Sequence, residues 1–178
     1  VKSQNKPLHL IGLVSDGGVH SHINHLKRIC ELAEEAGLKN VFIHAFTDGR
    51  DTDPKSGMGF IKELEEHIAS KNLSAKIATI CGRYYAMDRD KRWERVALAY
   101  NLLVKGEGNK FSNAAEAMEA TYNENVTDEF IKPAVITNAG SKPVATINAD
   151  DAVLCFNFRT DRCREITQVL TQQDMPEF

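Results

Sequence analysis

Short apolar runs rich in β-branched residues alternate with amphipathic stretches along this chain, and that alternation restricts its fold more than any other feature. The first three runs are continuously apolar, as expected of strands that are covered on both faces. Helical periodicity fills the intervals, for example where Phe60, Leu64 and Ile68 recur on one face. The sequence therefore predicts a three-layer α/β/α fold in which helices cover both faces of a mostly parallel central sheet. The predicted strands are Leu8–Val14, Val41–Phe46, Lys76–Cys81, Ala134–Thr137, Pro143–Ile147 and Ala152–Phe158.

Turn and capping residues refine this prediction. Ala134–Thr137 and Pro143–Ile147 are joined by a short polar segment, so we expect them to add a small antiparallel hairpin to the sheet. Ser21 precedes the first helical pattern and is expected to be its N-cap. Asp53 and Pro54 are expected to supply the cap and the first-turn proline of the next helix.

Composition excludes several classes of protein. Of the 178 residues, 42% are hydrophobic and 26% are charged, and the formal net charge is −3. These values are typical of a soluble globular protein and argue against a general nucleic-acid binder. No apolar run approaches the length of a membrane span, and no signal peptide opens the sequence. The four cysteines show no C-x-x-C spacing, so we expect reduced thiols and a cytoplasmic location, with no membrane and no nucleic acid among the partners.

Polar, arginine-rich segments follow four of the predicted strands. Ligands of such sheets bind outside the carboxyl ends of the strands, so these segments are the candidate site. Guanidinium groups gathered in one crevice repel each other unless an anion is bound, and their forked geometry matches carboxylate and phosphate oxygens. The alternative is that each arginine forms a surface salt bridge with a nearby aspartate. The arginines in question are Arg50, Arg83, Arg89, Arg159 and Arg162.

A histidine cluster after the first strand permits a different interpretation. His20, His22 and His25 read H-x-H-x2-H, and an H-x-H after a first strand also occurs in metal-dependent hydrolases. His20 and His22 would then need an aspartate from a neighbouring strand end to complete a metal site. Since His22 and His25 fall inside the helical pattern, we favour solvated or capping roles for them. The candidate aspartates are Asp16, Asp48 and Asp51.

Four segments of the chain resemble the cofactor-independent phosphoglycerate mutases. They read LVSDGGVHSH, FTDGRDTDP, GRYYAMDRDKRW and NFRTDR, and the resemblance runs from about Leu8 to the C-terminus. It implies the substrate-binding domain of an isomerase, an intramolecular phosphotransferase. That enzyme interconverts 3-phosphoglycerate and 2-phosphoglycerate in glycolysis and gluconeogenesis. A serine on a second, alkaline-phosphatase-like domain is transiently phosphorylated.

The resemblance also implies a set of site residues. For catalysis we expect Asp51, which arginines surround, to remain ionised and accept a proton from the attacking hydroxyl, and His20 to share in proton transfer or to hydrogen-bond the substrate. Arginines from several strand ends would clamp the carboxylate and the glycerate body. The implied substrate-contacting residues are His20, Arg50, Asp51, Arg83, Arg89, Arg159 and Arg162.

Further expectations concern what lies outside this chain. We expect residues 1–178 to form a single substrate-binding domain, a fragment of a larger two-domain enzyme that begins here at Val1 without a methionine. The resemblance implies two divalent metals, typically manganese, on the missing domain and none in this fragment. We expect the fragment to be monomeric, inactive alone, and partnered by the catalytic domain of the same chain. A non-catalytic sensor of small phosphorylated acids is a further alternative.

Overall fold

Six strands form one sheet in the computed structural model, which describes residues 6–172 of the chain. The order across the sheet is β4-β5-β3-β2-β1-β6, and β3 and β5 are the one antiparallel pair in it. This arrangement confirms the prediction of an α/β fold with a mostly parallel sheet. The strands are β1 Leu8–Leu13, β2 Val41–Thr47, β3 Lys76–Gly82, β4 Asn109–Phe111, β5 Ala134–Ile136 and β6 Ala152–Cys155.

Helices cover both faces of the sheet. Leu10 and Ile11 are consecutive in β1, and they face two different apolar clusters because side chains alternate along a strand. Helices α1, α2 and α5 pack on the Leu10 side, whereas α3, α4 and α6 pack on the Ile11 side. No helix among the described residues is long and apolar enough to cross a membrane. The helices are α1 Ile23–Glu35, α2 Gly57–Ser70, α3 Arg83–Ala86, α4 Trp93–Lys105, α5 Ala114–Asn123 and α6 Arg164–Thr171.

The parallel part of the sheet sets the direction in which its loops emerge. β1 lies between β2 and β6, and Leu10 of β1 is aligned with Ile43 of β2 and Leu154 of β6. Leu10 and Ile43 are fully buried, as the continuous apolar runs predict. Because these strands run in the same direction, the segments that follow β1, β2, β3 and β6 all emerge at one edge of the sheet.

The predicted hairpin is reduced to a single bridge, between Thr137 and Pro143. Pro143–Ile147 does not form a strand: Pro143 has no amide hydrogen to donate, and the Ile147 amide donates to the Leu103 carbonyl of α4 at 2.8 Å. The antiparallel contribution to the sheet comes instead from β5 against β3. Strand β4, Asn109–Phe111, was not predicted, because three residues with two polar side chains carry no strand signal.

Two of the predicted helix caps are also wrong. The N-cap of α1 is His22, whose Nδ1 accepts a hydrogen bond from the Asn24 amide at 3.2 Å. Ser21 instead donates its hydroxyl hydrogen to the Leu13 carbonyl. Helix α2 begins at Gly57 with Ser56 as N-cap, so Asp53 and Pro54 precede it in a turn. His22 therefore has the capping role that the sequence favoured over metal binding.

Candidate anion-binding site

A cleft of about 360 Å³ opens at the carboxyl edge of the sheet. It lies where the segments after β2, β3 and β6 meet the first turn of α4 and the 3₁₀ turn Asp128–Phe130. Its volume is in the range of small-molecule sites. Four of the predicted arginines reach the cleft, together with one that was not predicted. The arginines that line it are Arg50, Arg83, Arg89, Arg95 and Arg162.

Arg83 forms the floor of the cleft. It follows β3 directly, and only 3% of its surface is exposed. One of its guanidinium nitrogens, Nη1, donates to Asp48 Oδ1 at 2.7 Å and to Asp51 Oδ2 at 2.6 Å. Burial by itself would lower the pKa of Arg83, but the bonds to Asp51 and Asp48 outweigh burial and raise it. Arg83 is thus a permanent positive charge whose position is fixed by two carboxylates.

Asp48 organises the turn that follows β2. It is 2% exposed, and its carboxylate accepts hydrogen bonds from the Ser15 hydroxyl at 2.7 Å, the Asp51 amide at 2.9 Å and the Arg50 amide at 3.2 Å. Burial opposes ionisation, yet these bonds and the Arg83 guanidinium hold the pKa of Asp48 below its ordinary value. The side chains of Arg50 and Asp51 therefore start from a backbone that an ionised carboxylate holds in place.

His20 lies between two carboxylates without a short bond to either. Its Nε2 is 3.8 Å from Asp51 Oδ2, and its Nδ1 is 3.8 Å from Asp161 Oδ1. Burial and the positive charge of Arg83 lower the pKa of His20, and the two carboxylates offset only part of that effect. The imidazole is therefore neutral at pH 7. The His20 carbonyl accepts the Phe158 amide at 2.9 Å, which fastens the segment after β6 to the segment after β1.

Three arginines in or beside the cleft, here called the rim arginines, form exposed ion pairs, and Arg159 among them does not itself line the cleft. Asp161 receives Arg89 Nη1 at 3.2 Å and Arg159 Nε at 3.0 Å, while Arg50 Nη1 lies 3.3 Å from Glu129 Oε1. The side chains of these three arginines are about half exposed, at 48%, 50% and 56% for Arg89, Arg159 and Arg50. The salt-bridge alternative thus describes these residues in part. Such exposed pairs contribute only about 0–1 kcal/mol each.

Arg162 is different, because its hydrogen bond goes to an uncharged group. Its Nη1 donates to the Met87 carbonyl at 3.4 Å. Burial lowers the pKa of Arg162, and the positive charges of Arg89, Arg83 and Arg50 lower it further. All four guanidinium groups belong to residues that line the same cleft, and the Asp161 carboxylate offsets part of their effect. Four of the five arginines predicted at the strand ends therefore meet in one cleft, and Arg159 does not line it.

Sequence reasoning missed three side chains of the cleft. Arg95 comes from the first turn of α4, where its guanidinium carbon lies 3.9 Å from the centre of the Tyr84 ring and its Nη1 lies 3.3 Å from Asp88 Oδ2. Tyr84 also packs on Phe130, with ring centres 5.1 Å apart. Glu129 precedes Phe130 in the 3₁₀ turn. The three missed residues, Arg95, Glu129 and Phe130, do not follow a strand of the parallel sheet, so a search of strand ends alone could not find them.

The donor groups around His20 do not form a metal site. Among residues 6–172, no three histidine, cysteine, aspartate or glutamate side chains are arranged to hold a metal ion. His22 is used as the cap of α1, and Asp48 and Asp51 are bound to Arg83. The interpretation as a metal-dependent hydrolase that uses His20, His22 and an aspartate is therefore not favoured.

Comparison with known proteins places the chain beside a set of relatives. A family model described as BPG-independent PGAM N-terminus (iPGM_N) matches residues 1–178. The 2,3-bisphosphoglycerate-independent phosphoglycerate mutase of Parabacteroides distasonis is 58% identical over 176 residues, which are 99% of this chain and 34% of that protein. The enzyme of the same description from Clostridium perfringens is 57% identical over 177 residues, again 99% of this chain and 34% of the relative.

A solved structure shares the fold closely. Crystal structures of Leishmania mexicana phosphoglycerate mutase at low cobalt concentration match with a TM-score of 0.93 and 39% sequence identity. The match covers 97% of this chain and 33% of that one. The chain thus spans about a third of the length of the relatives that it matches, with 34% of each covered.

Proposed function

Because the chain belongs to the BPG-independent PGAM N-terminus family, we propose that it is the substrate-holding part of a phosphoglycerate mutase. The proposed reaction interconverts 3-phosphoglycerate and 2-phosphoglycerate, an isomerisation by phosphate transfer that serves glycolysis and gluconeogenesis. The observation that carries the proposal is that Arg50, Arg83, Arg89 and Arg162 line one cleft, in which the hydrogen bond of Arg162 goes to an uncharged carbonyl. A small dianion or trianion is the ligand that such a cleft favours.

The cleft suits the two anionic groups of phosphoglycerate. We assign the binding of the carboxylate and glycerate body to His20 and the arginines, with Arg83 as a fixed charge below the ligand. The planar guanidinium fork can bond two oxygens of one carboxylate or phosphate, which sets the orientation as well as the affinity. Rim arginines that form weak pairs with Asp161 and Glu129 can exchange those carboxylates for ligand oxygens. The arginines assigned to substrate are Arg50, Arg83, Arg89, Arg159 and Arg162.

Asp51 and His20 are assigned to proton transfer. Phosphate can move between the 2- and 3-oxygens only if the attacking hydroxyl loses its proton. The Asp51 side chain is 20% exposed and is bound to Arg83, which lines the cleft, and Asp51 Oδ2 lies 3.8 Å from His20 Nε2. Asp51 is the proposed acceptor of the proton. The neutral His20 ring has one nitrogen that can accept and one that can donate a hydrogen bond, which supports a role in holding or relaying the proton.

The rest of the reaction is assigned to groups outside the described residues. The family resemblance implies two manganese ions and a serine that carries the phosphate, and the donor set of residues 6–172 does not fit a metal ion. We therefore propose that residues 1–178 act as one substrate-binding domain beside a catalytic domain of the same chain. On this proposal the fragment alone is inactive, and the whole protein is a cytoplasmic monomer. Metals would supply their chemistry from the other domain.

The test is Arg162→Ala in the full-length protein, with Arg28→Ala as the matched control. Arg28 is exposed on α1 and pairs with Glu31 and Glu35, away from the cleft. Removing a charged hydrogen-bond donor from a ligand typically costs about 1.5–3 kcal/mol, so Arg162→Ala should raise the KM for 3-phosphoglycerate roughly tenfold or more. Arg28→Ala should leave KM unchanged. Equal kinetic constants for both variants and the wild type would refute the assignment of the cleft.

A further inference from the structure

A buried glutamate at the start of α6 binds the loop that carries Arg89. Glu165 is the second residue of α6, and only 7% of its surface is exposed. Its Oε1 accepts a hydrogen bond from the backbone amide of Lys91 at 2.9 Å. Lys91 and Arg89 both belong to residues 88–92, which lie between α3 and α4 and are here called the α3–α4 loop. A buried carboxylate is costly to the fold unless it is hydrogen-bonded, and Glu165 forms its bond with this loop.

The α3–α4 loop has an unfavourable backbone conformation at the residue that Glu165 binds. Lys91 has a φ of +57°, in the left-handed region that a residue with a side chain adopts at a cost. Such a conformation persists where its surroundings fix it. Within the loop, Asp88 Oδ1 accepts the amides of Asp90 at 2.9 Å and Arg92 at 3.0 Å. Glu165 adds a bond from outside the loop, at Lys91 itself.

Helix α6 is a firm anchor for that bond. Ile166, the residue after Glu165, belongs to the same buried apolar cluster as Leu102 of α4. A shift of Glu165 would therefore disturb the packing of α6 on α4. The segment before α6 makes a longer bond to the end of α3, since Arg162 Nη1 donates to the Met87 carbonyl at 3.4 Å. The shorter and better anchored of the two bonds is the one from Glu165.

Arg89 is the side chain whose position depends on this loop. It lines the cleft, is 48% exposed, and lies 3.2 Å from Asp161 in an ion pair of the weak, exposed kind. Such a pair does little to hold a long side chain in one place. The loop backbone therefore decides where the guanidinium can meet an anion, and a misplacement of about 1 Å at a functional group can cost on the order of 10²-fold in rate.

We propose that Glu165 is a positioning residue, which holds the Lys91 amide and thereby fixes the α3–α4 loop so that Arg89 can bind the anionic ligand. Glu165 does not line the cleft, so it acts through Arg89. The consequence for the ligand rests on the proposed function, whereas the hold on the loop does not. The Lys91 amide needs an acceptor oxygen, which glutamine also supplies. The glutamine NH₂ would replace Glu165 Oε2, which has no hydrogen-bond partner among residues 6–172.

Hydrogen exchange of the full-length protein tests the hold on the loop, by mass spectrometry of peptides that cover residues 88–92. Glu165→Ala should speed exchange there roughly threefold to tenfold, because one hydrogen bond is lost, and Glu165→Gln should not. The matched control is Glu34→Ala, since Glu34 Oε2 accepts the Ser74 amide at 2.8 Å, a bond of the same kind. Ser74 precedes β3, at the opposite edge of the sheet from the cleft, so this control should leave residues 88–92 unchanged.

Kinetics of the full-length protein test the consequence for the ligand. Glu165→Ala should raise the KM for 3-phosphoglycerate roughly threefold to tenfold and leave kcat unchanged, as expected when only binding is weakened. Glu165→Gln and Glu34→Ala should keep the KM of the wild type. In an Arg89→Ala background, Glu165→Ala should raise KM no further, because the side chain that it positions is gone. Glu165→Asp keeps the charge but withdraws the oxygen by one methylene, so it should behave as Glu165→Ala does and replaces that variant if alanine prevents folding.

Three results would overturn the proposal. The first is unchanged exchange of residues 88–92 in both Glu165→Ala and Glu165→Asp. The second is a rise in KM for Glu165→Gln as large as that for Glu165→Ala, because the charge and not the bond to the loop would then matter. The third is an equal effect of Glu165→Ala with and without Arg89. A failure of the proposed function looks different: Arg89→Ala would leave KM unchanged while Glu165→Ala still speeds exchange in the loop.

Discussion

Replacing Asp48 with asparagine should destabilise the protein because it removes one buried negative charge. The asparagine oxygen can still accept the Asp51 amide, and its NH₂ group can face Ser15, whose hydroxyl can turn to accept instead of donate. What is lost is the negative charge 2.7 Å from Arg83 Nη1. Arg83 is 3% exposed and would keep Asp51 as its one carboxylate partner among the described residues.

The size of the destabilisation depends on Asp51, the carboxylate partner that Arg83 keeps. Removing one member of a buried ion pair costs about 3–5 kcal/mol when the other charge is left alone. Since Arg83 keeps Asp51, we expect the free energy of unfolding to fall by about 2–3 kcal/mol, in line with the loss of a hydrogen bond to a charged group. Urea unfolding of the 178-residue chain, followed by far-UV circular dichroism, should show a midpoint lower by roughly 1 M. Asp161→Asn is the matched control, because Asp161 pairs with exposed arginines and should change stability by less than about 1 kcal/mol.

The stability difference between the wild type and Asp48→Asn should also depend on pH. The pKa of Asp48 is lower in the folded protein than its ordinary value of 3.8. A carboxyl group whose pKa is depressed by folding stabilises the protein above its unfolded pKa, and that contribution disappears as the pH falls through the folded pKa. The difference in stability between the wild type and Asp48→Asn should therefore be constant near pH 7 and shrink below about pH 4. A difference that is absent at pH 7, or that grows in acid, would refute the account of Asp48 as an ionised buried anchor.

Three further predictions concern the proposed ligand and use the full-length protein. Asp51→Asn should lower kcat on the order of 10²-fold or more while the circular dichroism spectrum stays the same, and near wild-type turnover would contradict its role as proton acceptor. Glu129→Gln removes the carboxylate that pairs with Arg50, so titration calorimetry should show tighter binding of 3-phosphoglycerate with an unfolding free energy within about 1 kcal/mol of the wild type. Affinity for 3-phosphoglycerate should fall as salt rises, because exposed charges are screened over about 10 Å at 0.1 M ionic strength, and a salt-independent constant would argue against charge as the basis of binding.

The parallel core of the fold could be predicted because the local pattern of apolar residues indicates which strands are buried on both faces. Leu10 and Ile43 sit in continuous apolar runs, which is the pattern of a strand buried on both faces. Strand β4 and the lost strand at Pro143 could not be predicted in this way. The strand at Asn109–Phe111 forms because it pairs with β5. In the Pro143–Ile147 segment, the Ile147 amide donates a hydrogen bond to the Leu103 carbonyl of α4 instead of to a neighbouring strand. Both outcomes depend on partners that are distant in the sequence.

The part of the candidate site that could be predicted is the set of residues that follow the parallel strands, because the ends of these strands meet at one edge of the sheet. Arg50, Arg83 and Arg162 reach the cleft because each follows a strand or the segment after one. Arg95 could not be found by that rule, since α4 brings it to the Tyr84 ring by a helical turn. The bond between Asp48 and Arg83 could not be predicted either, because several arginines follow the strands and the sequence does not indicate which of them pairs with Asp48.

Burial divides the charges of the cleft into a fixed set and an exchangeable set. Asp48 and Asp51 hold Arg83 in a place where water cannot compensate a broken pair, so a ligand cannot displace them without a large loss. Asp161 and Glu129 hold their arginines in water, where each pair contributes little. An incoming anion therefore meets a rigid floor, in which Arg83 is held by two carboxylates, and a rim whose carboxylates it can replace at small cost. Arg162 adds a charge that has no carboxylate within ion-pair distance among residues 6–172, although the more distant Asp161 offsets part of it.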